Sequence, residues 1–119
     1  MFLELKHQKL EIYQASRKFI AECYKLTKTF PSEEKYVLTS QIRRAALSVH
    51  LNLAEGSSRK SATERKRYYE ISRGSLIEID AAFEICVGLS YLKEGDLQNV
   101  GVLLNRVFAM LTKMISVNS

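Results

Sequence analysis

The sequence predicts an all-α domain, an antiparallel up-down-up-down four-helix bundle spanning residues 1–119. Three observations carry this. Apolar residues return at steps of three and four along four separate stretches, the spacing that keeps side chains on one helix face. One proline and five glycines leave too few turns for a β-sandwich or barrel. Short connections between four long helices favour antiparallel neighbours. The chain, 119 residues with 46% apolar and 26% charged, is long enough to bury a core without disulfides or a metal.

The first helix is expected over residues 8–29. Ile12, Ser16, Phe19, Cys23, Leu26 and Phe30 form its buried stripe. Pro31 ends it, because the residue before a proline is pushed out of the α region. The second helix is expected over 32–55, with Glu33 and Glu34 at the positive end of its dipole. Leu38, Ile42, Ala45, Val49 and Leu53 form its stripe, widened by Ala46, Leu47 and Leu51. Gly56 follows as a candidate left-handed C-cap.

The third helix is expected over 62–92. Ser61 and Glu64 have the spacing of a capping box. Tyr69, Ser72, Leu76, Ile79, Phe83 and Cys86 make one stripe. Tyr68, Ile71, Ser75, Ala82, Ile85 and Leu89 make a second. So wide an apolar arc predicts burial on two sides, one facing the bundle and the other a neighbouring subunit. The fourth helix is expected over 96–116, with Asp96 as its N-cap. Its stripe is Leu97, Val100, Leu104, Val107, Leu111 and Met114, and Leu103, Phe108 and Met110 outside it are candidates for a partner. Gly74, Gly88 and Gly101 each cost helix propensity, which close helix packing would explain.

The charge pattern narrows the function. The formal net charge is +5, and residues 59–73 carry +4 of it. Arg59, Lys60, Arg65, Lys66, Arg67 and Arg73 lie there against Glu64 and Glu70. A local basic patch is the footprint of a partner bearing phosphates, and equally the pattern of a solvated helix face. Arg43 and Arg44 form a smaller patch. Tyr68 and Tyr69 interleave aromatics that stack on unpaired bases if exposed, or fill the core if not.

Other classes find less support. No stretch approaches ~18 uninterrupted apolar residues, and the N-terminus lacks an apolar signal region, so a cytoplasmic protein without a membrane partner is expected. Cys23 and Cys86 form no Cys-x-x-Cys pair, so neither a zinc nor a thioredoxin-like site is expected. There is no phosphate-binding loop, no His-Glu-x-x-His and no Gly-x-Ser-x-Gly. Glu55, Glu78 and Asp80 lack the Glu-x-x-His spacing of di-iron bundles. Arg44, Asn52, Glu55, Ser75 and Glu78 project from otherwise apolar helices and are expected to form a structural polar network. No cofactor, metal or catalytic residue is expected. Arg44 and His50, six apart, resemble the Arg-x4–6-His motif of the HEPN ribonucleases, with Ala45 where those enzymes prefer a polar residue. In that reading the histidine would shuttle a proton while the arginine holds a phosphate.

One resemblance covers most of the chain. Residues 30–34 (FPSEE), 36–46 (YVLTSQIRRAA), 48–56 (SVHLNLAEG), 59–61 (RKS) and 74–79 (GSLIEI) resemble the four helix bundle proteins, also called 23S rRNA intervening-sequence proteins. The resemblance implies a left-handed antiparallel bundle assembled as a ring-like homopentamer. It implies a bacterial gene, in some genomes placed inside insertions in the 23S rRNA gene. Related accessory proteins of diversity-generating retroelements share bundle and pentamer, and bind nucleic acid and a reverse transcriptase. The family has no accepted catalytic residues, which makes the shared Arg44, Asn52, Glu55, Gly56, Ser75 and Glu78 structural. His50 stands where the family usually has proline, which weakens the ribonuclease reading.

The expected function is a non-catalytic, oligomeric nucleic-acid-binding module, RNA favoured over DNA. Arg43, Arg59, Lys60, Arg65, Lys66, Arg67 and Arg73 would neutralise phosphates. The alternative is a protein-interaction scaffold.

Overall fold

A computed structural model describes residues 1–119. Four helices form the bundle: α1 Glu11–Thr27, α2 Leu38–Ser57, α3 Ala62–Gly88 and α4 Gln98–Val117. Each packs on its neighbours in sequence and α1 also packs on α4, so the helices form the four corners of a square, with α2 and α3 in the most extensive contact. The molecule measures 44 × 30 × 23 Å. The predicted stripes form the core: Phe19, Cys23, Ile42, Val49, Leu53, Leu76, Ile79, Cys86, Val107 and Leu111 are all essentially inaccessible.

The helix ends depart from expectation for local reasons. α1 is preceded by a separate 3-10 turn, Lys6–Lys9, and the chain breaks at an extended Leu10. Residues 32–34 form a 3-10 turn rather than the start of α2, and Val37 (φ −119°, ψ −98°) interrupts the chain before Leu38. Tyr91 explains why this turn stays put: its hydroxyl donates to Glu34 Oε2 at 2.7 Å, and its ring lies 5.7 Å from that of Phe30. The bond to Glu34, foremost, pushes the Tyr91 phenol up to about 12.

α3 stops at Gly88, before the expected Leu92. Ser90 takes a left-handed φ of 65°, the Ser90 N–H donates to the Val87 carbonyl and the Tyr91 N–H to that of Cys86. That is the Schellman arrangement, here with serine in the position glycine usually fills. Asp96 caps the 3-10 turn Glu94–Leu97, accepting from the Lys93 N–H at 2.9 Å, and Leu97 is the residue before α4. At the start of α3, Ser61 Oγ accepts from the Glu64 N–H at 3.1 Å and donates to the Glu64 carboxylate. The Glu64 half of the expected box is thus a side-chain bond.

The glycines also differ. Gly56 lies inside α2 without a positive φ, so it is no left-handed cap. Around Gly74, Gly88 and Gly101 an added Cβ would meet no atom within 4 Å, so no close packing inside the chain explains them. Leu47 and Leu51 are exposed instead of widening the core. Leu103, Phe108 and Met110 are partly buried against it, whereas Val102 faces out. Glu94–Val117 reaches the length and mean hydropathy (1.5) of a membrane span, but Arg106 and Lys113 interrupt it and Val100, Leu104, Val107, Leu111 and Ile115 line the bundle core.

Candidate nucleic-acid interface

α1 is the short helix. Ser16 meets His50 halfway along α2, and Glu11 pairs with Arg106 halfway along α4. The lower part of the bundle is therefore built from the N-terminal lead, the α2–α3 turn with its flanking halves, and the end of α4. Residues 1–10, 51–75 and 108–119 hold nine Lys or Arg and four Asp or Glu, so the whole formal charge of +5 lies at this end. The opposite end carries Glu33, Glu34, Glu84, Glu94 and Asp96 beside Lys25, Lys28, Lys35 and Lys93, and the remainder of the chain is neutral overall. Within α3 the split is lengthwise. Arg65, Lys66, Arg67 and Arg73 precede Gly74, and only Glu78, Asp80 and Glu84 follow it. Cations near a helix N-terminus oppose the macrodipole, so helix stability does not account for this order.

The seven predicted cations fall into two groups. Four are engaged within the chain. Arg43 lies against α1, where Nε donates to Thr27 Oγ1 at 2.9 Å and the guanidinium sits 4.6 Å over the Tyr24 ring. Arg65 donates to the carbonyls of Arg59 (3.1 Å) and Lys60 (2.6 Å) and through Nε to Asn118 Oδ1 at 2.9 Å. It thereby clips the α2–α3 turn to the end of α4. Arg59 donates to Glu55 Oε1 at 2.5 Å and to Tyr68 Oη at 3.1 Å, and its buried Nε has no partner. The bond to Glu55, foremost, raises its pKa still further. Arg73 reaches Thr112 Oγ1 at 3.3 Å beside the Phe108 ring. Lys60, Lys66 and Arg67 have no side-chain partner. Lys6, Lys9 and Lys113, outside the predicted site, extend the free charge over the same end. Only the third dimension joins those segments.

The tyrosines resolve similarly. Tyr69 is core, with its hydroxyl 3.1 Å from Ser57 Oγ. One face of Tyr68 is taken by Arg59, 5.1 Å from the ring centroid.

The expected polar network exists in part, and its hub is Ser48, a residue the pattern did not single out. Asn52 Nδ2 donates to the Ser48 carbonyl and to Ser48 Oγ, and Ser75 Oγ donates to Ser48 Oγ at 2.8 Å. Beside it Ser72 Oγ donates to the Val49 carbonyl at 2.6 Å. Glu78 accepts from Gln41 Nε2, and Glu55 pairs with Arg59. Arg44 has no partner in the chain and is exposed on α2.

His50 turns the other way, toward α1. Ser16 Oγ donates to the Tyr13 carbonyl, so at 2.6 Å it accepts from Nδ1 of His50. The Tyr13 ring lies 4.3 Å from the His50 ring and 5.4 Å from that of His7. Burial first, then Arg17 and His7, push the His50 pKa down. Arg44 and His50 thus do not converge on one phosphate. The Cys23 thiol is pushed up to about 12, chiefly by burial, and Cys86 is raised for the same reason.

The fold defines the class first: a small all-α four-helix-bundle protein with one basic end. The model of the 23S rRNA-intervening sequence protein family matches residues 8–113, and the chain belongs to that family. Among solved structures it is similar to a protein of unknown function from the S23 ribosomal protein family of Bacteroides thetaiotaomicron. The TM-score is 0.79 at 19% identity, over 87% of this chain and 97% of that one, which is a likeness of fold. No curated protein matches the chain.

Proposed function

We propose that the protein is an oligomeric nucleic-acid-binding module that takes RNA in preference to DNA and carries out no reaction of its own. The observation that carries this reading is the confinement of the net charge to one end of the bundle, with Lys60, Lys66 and Arg67 unpaired there. Family membership directs the choice toward RNA. Self-association is supported by an exposed apolar stripe on α2 and α3: Leu47, Leu51, Ile71, Ile85 and Leu89. The homopentamer implied by the family resemblance repeats the basic end five times around a ring. Phosphate neutralisation by several such ends releases condensed counterions, so binding falls steeply with salt.

The test is a titration of labelled structured RNA, and DNA of matched length, at two salt concentrations. A variant with Lys60, Lys66 and Arg67 changed to Glu runs beside the wild type. Arg65 is left intact because it holds the turn together. Tight, salt-sensitive RNA binding that the variant loses supports the reading. Absence of binding by the wild type overturns it and directs the search to a protein partner.

A further inference from the structure

A groove of about 510 Å³ opens between the upper halves of α3 and α4. Its floor is apolar, with Phe83, Val87 and Leu97, and its rim carries Asp80, Glu84 and Glu94. None of the three carboxylates has a basic partner in the chain. Gly88 and Gly101 line the walls, where a Cβ would meet nothing, so the groove is held open by missing side chains rather than filled by neighbours.

The same chain presents a segment of matching character. Met1, Phe2, Leu3 and Leu5 are 98%, 89%, 66% and 39% exposed, with Lys6 and Lys9 directly behind them. Four exposed large apolar side chains within five residues are costly to leave in water. The segment is anchored on the far side of the bundle, because the turn Lys6–Lys9 packs on α1 and α2, and His7 lies against Tyr13. Five extended residues span at most ~17 Å. The narrowest extent of the molecule is 23 Å. The arm cannot reach the groove of its own chain from that anchor.

We infer that the arm formed by residues 1–5 of one copy seats in the α3/α4 groove of a second copy, its apolar side chains on the floor and Lys6 and Lys9 against the acidic rim. Arm and groove lie on opposite sides of the bundle, so the contact is heterologous: each copy gives an arm to one neighbour and receives one from another. Contacts of that kind close into rings or run on as filaments. The inference rests on the self-association reading above.

The test uses the full chain carrying Phe2→Asp and Leu3→Asp, which vacates the groove. The probe is a fluorescent peptide of residues 1–10. Expected is saturable binding of one peptide per chain, weakened at least tenfold by adding Asp80→Lys and Glu84→Lys. A peptide with Lys6→Glu and Lys9→Glu recovers affinity for that charge-reversed groove. All four positions are exposed, and thermal unfolding checks that each variant is folded. No binding, or binding indifferent to the rim charges, overturns the inference. The RNA titration of the wild-type chain reports separately on the proposed function.

Discussion

Gly56 and Tyr68 are so close that a Cβ on the glycine would stand 2.8 Å from the Cβ of the tyrosine. The same atom would be 2.9 Å from Cε1 of Tyr69, whose ring is buried and whose hydroxyl is held by Ser57. Neither neighbour is the free end of a flexible side chain. Glycine therefore lets the end of α2 touch the start of α3, which sets where the basic turn stands. Gly56→Ala gains about 1 kcal/mol of helix propensity but meets an overpacking cost of about 1–3 kcal/mol. With two contacts below 3.0 Å the cost sits at the upper end, and a net loss of about 1–2 kcal/mol is expected. Gly74→Ala is the control, because nothing lies within 4 Å there. It should stabilise the isolated chain by up to ~1 kcal/mol. Denaturant unfolding of both variants checks the pair, and equal effects would refute the argument.

Ser90 is the one non-glycine residue with a positive φ. A left-handed L-residue costs roughly 1–2 kcal/mol, partly offset by the entropy a glycine would lose on folding. Ser90→Gly is therefore expected to raise stability by about 0.5–1 kcal/mol without moving the helix end. A neutral or destabilising result in denaturant unfolding would show that the turn carries no strain.

The helical stripes were legible because burial on one face repeats with the helix period. Ile12 to Cys23, Ile42 to Leu53 and Tyr69 to Cys86 all lie in the core as read. The ends were harder, because what stops α3 is a conformation of Ser90 that no residue type announces. Gly56 matters for its missing Cβ and not for a left-handed φ, a distinction that sequence cannot draw. The basic segment 59–73 was visible as charge. That Arg65 and Arg43 spend their guanidinium groups on carbonyls and on Thr27, while Lys6, Lys9 and Lys113 join the same end, depends on contacts between residues far apart in the chain.

His50 gives the fold a pH dependence. Its pKa in the bundle lies below the ordinary 6.5, first because it is buried, then because Arg17 and His7 disfavour a further charge. Tyr13 and Ser16 complete its surroundings, the one by ring contact and the other by accepting from Nδ1. Between the lowered pKa and 6.5 the unfolded chain binds more protons than the folded one, so unfolding free energy rises with pH. The contribution is fully present above about pH 6.5 and is lost as pH falls toward the folded value. His50→Gln should flatten that part of the profile while lowering stability at pH 8 through loss of the ring contacts. Identical pH profiles for variant and wild type would remove His50 as the cause.

The division of the cations makes the sharpest demand on the proposed function, because stability and binding should separate by residue. Lys60, Lys66 and Arg67 have no partner, so alanine at each should leave unfolding within about 0.5 kcal/mol of wild type. Each should instead reduce the salt dependence of RNA binding by close to one phosphate contact, a change of ~0.7–0.9 in the slope of log affinity against log salt. Arg65→Ala removes three hydrogen bonds that hold the α2–α3 turn and the end of α4, and a loss of about 1–3 kcal/mol is expected. Arg43→Ala breaks the bond to Thr27 and the stacking on Tyr24, for about 1–2 kcal/mol, yet lies away from the basic end. At a temperature where it is fully folded, its RNA affinity and salt slope should equal those of wild type. If Arg43→Ala weakened RNA binding as much as Lys66→Ala does, the interface would not be the basic end of the bundle, and the cations on α2 would have to be brought into it.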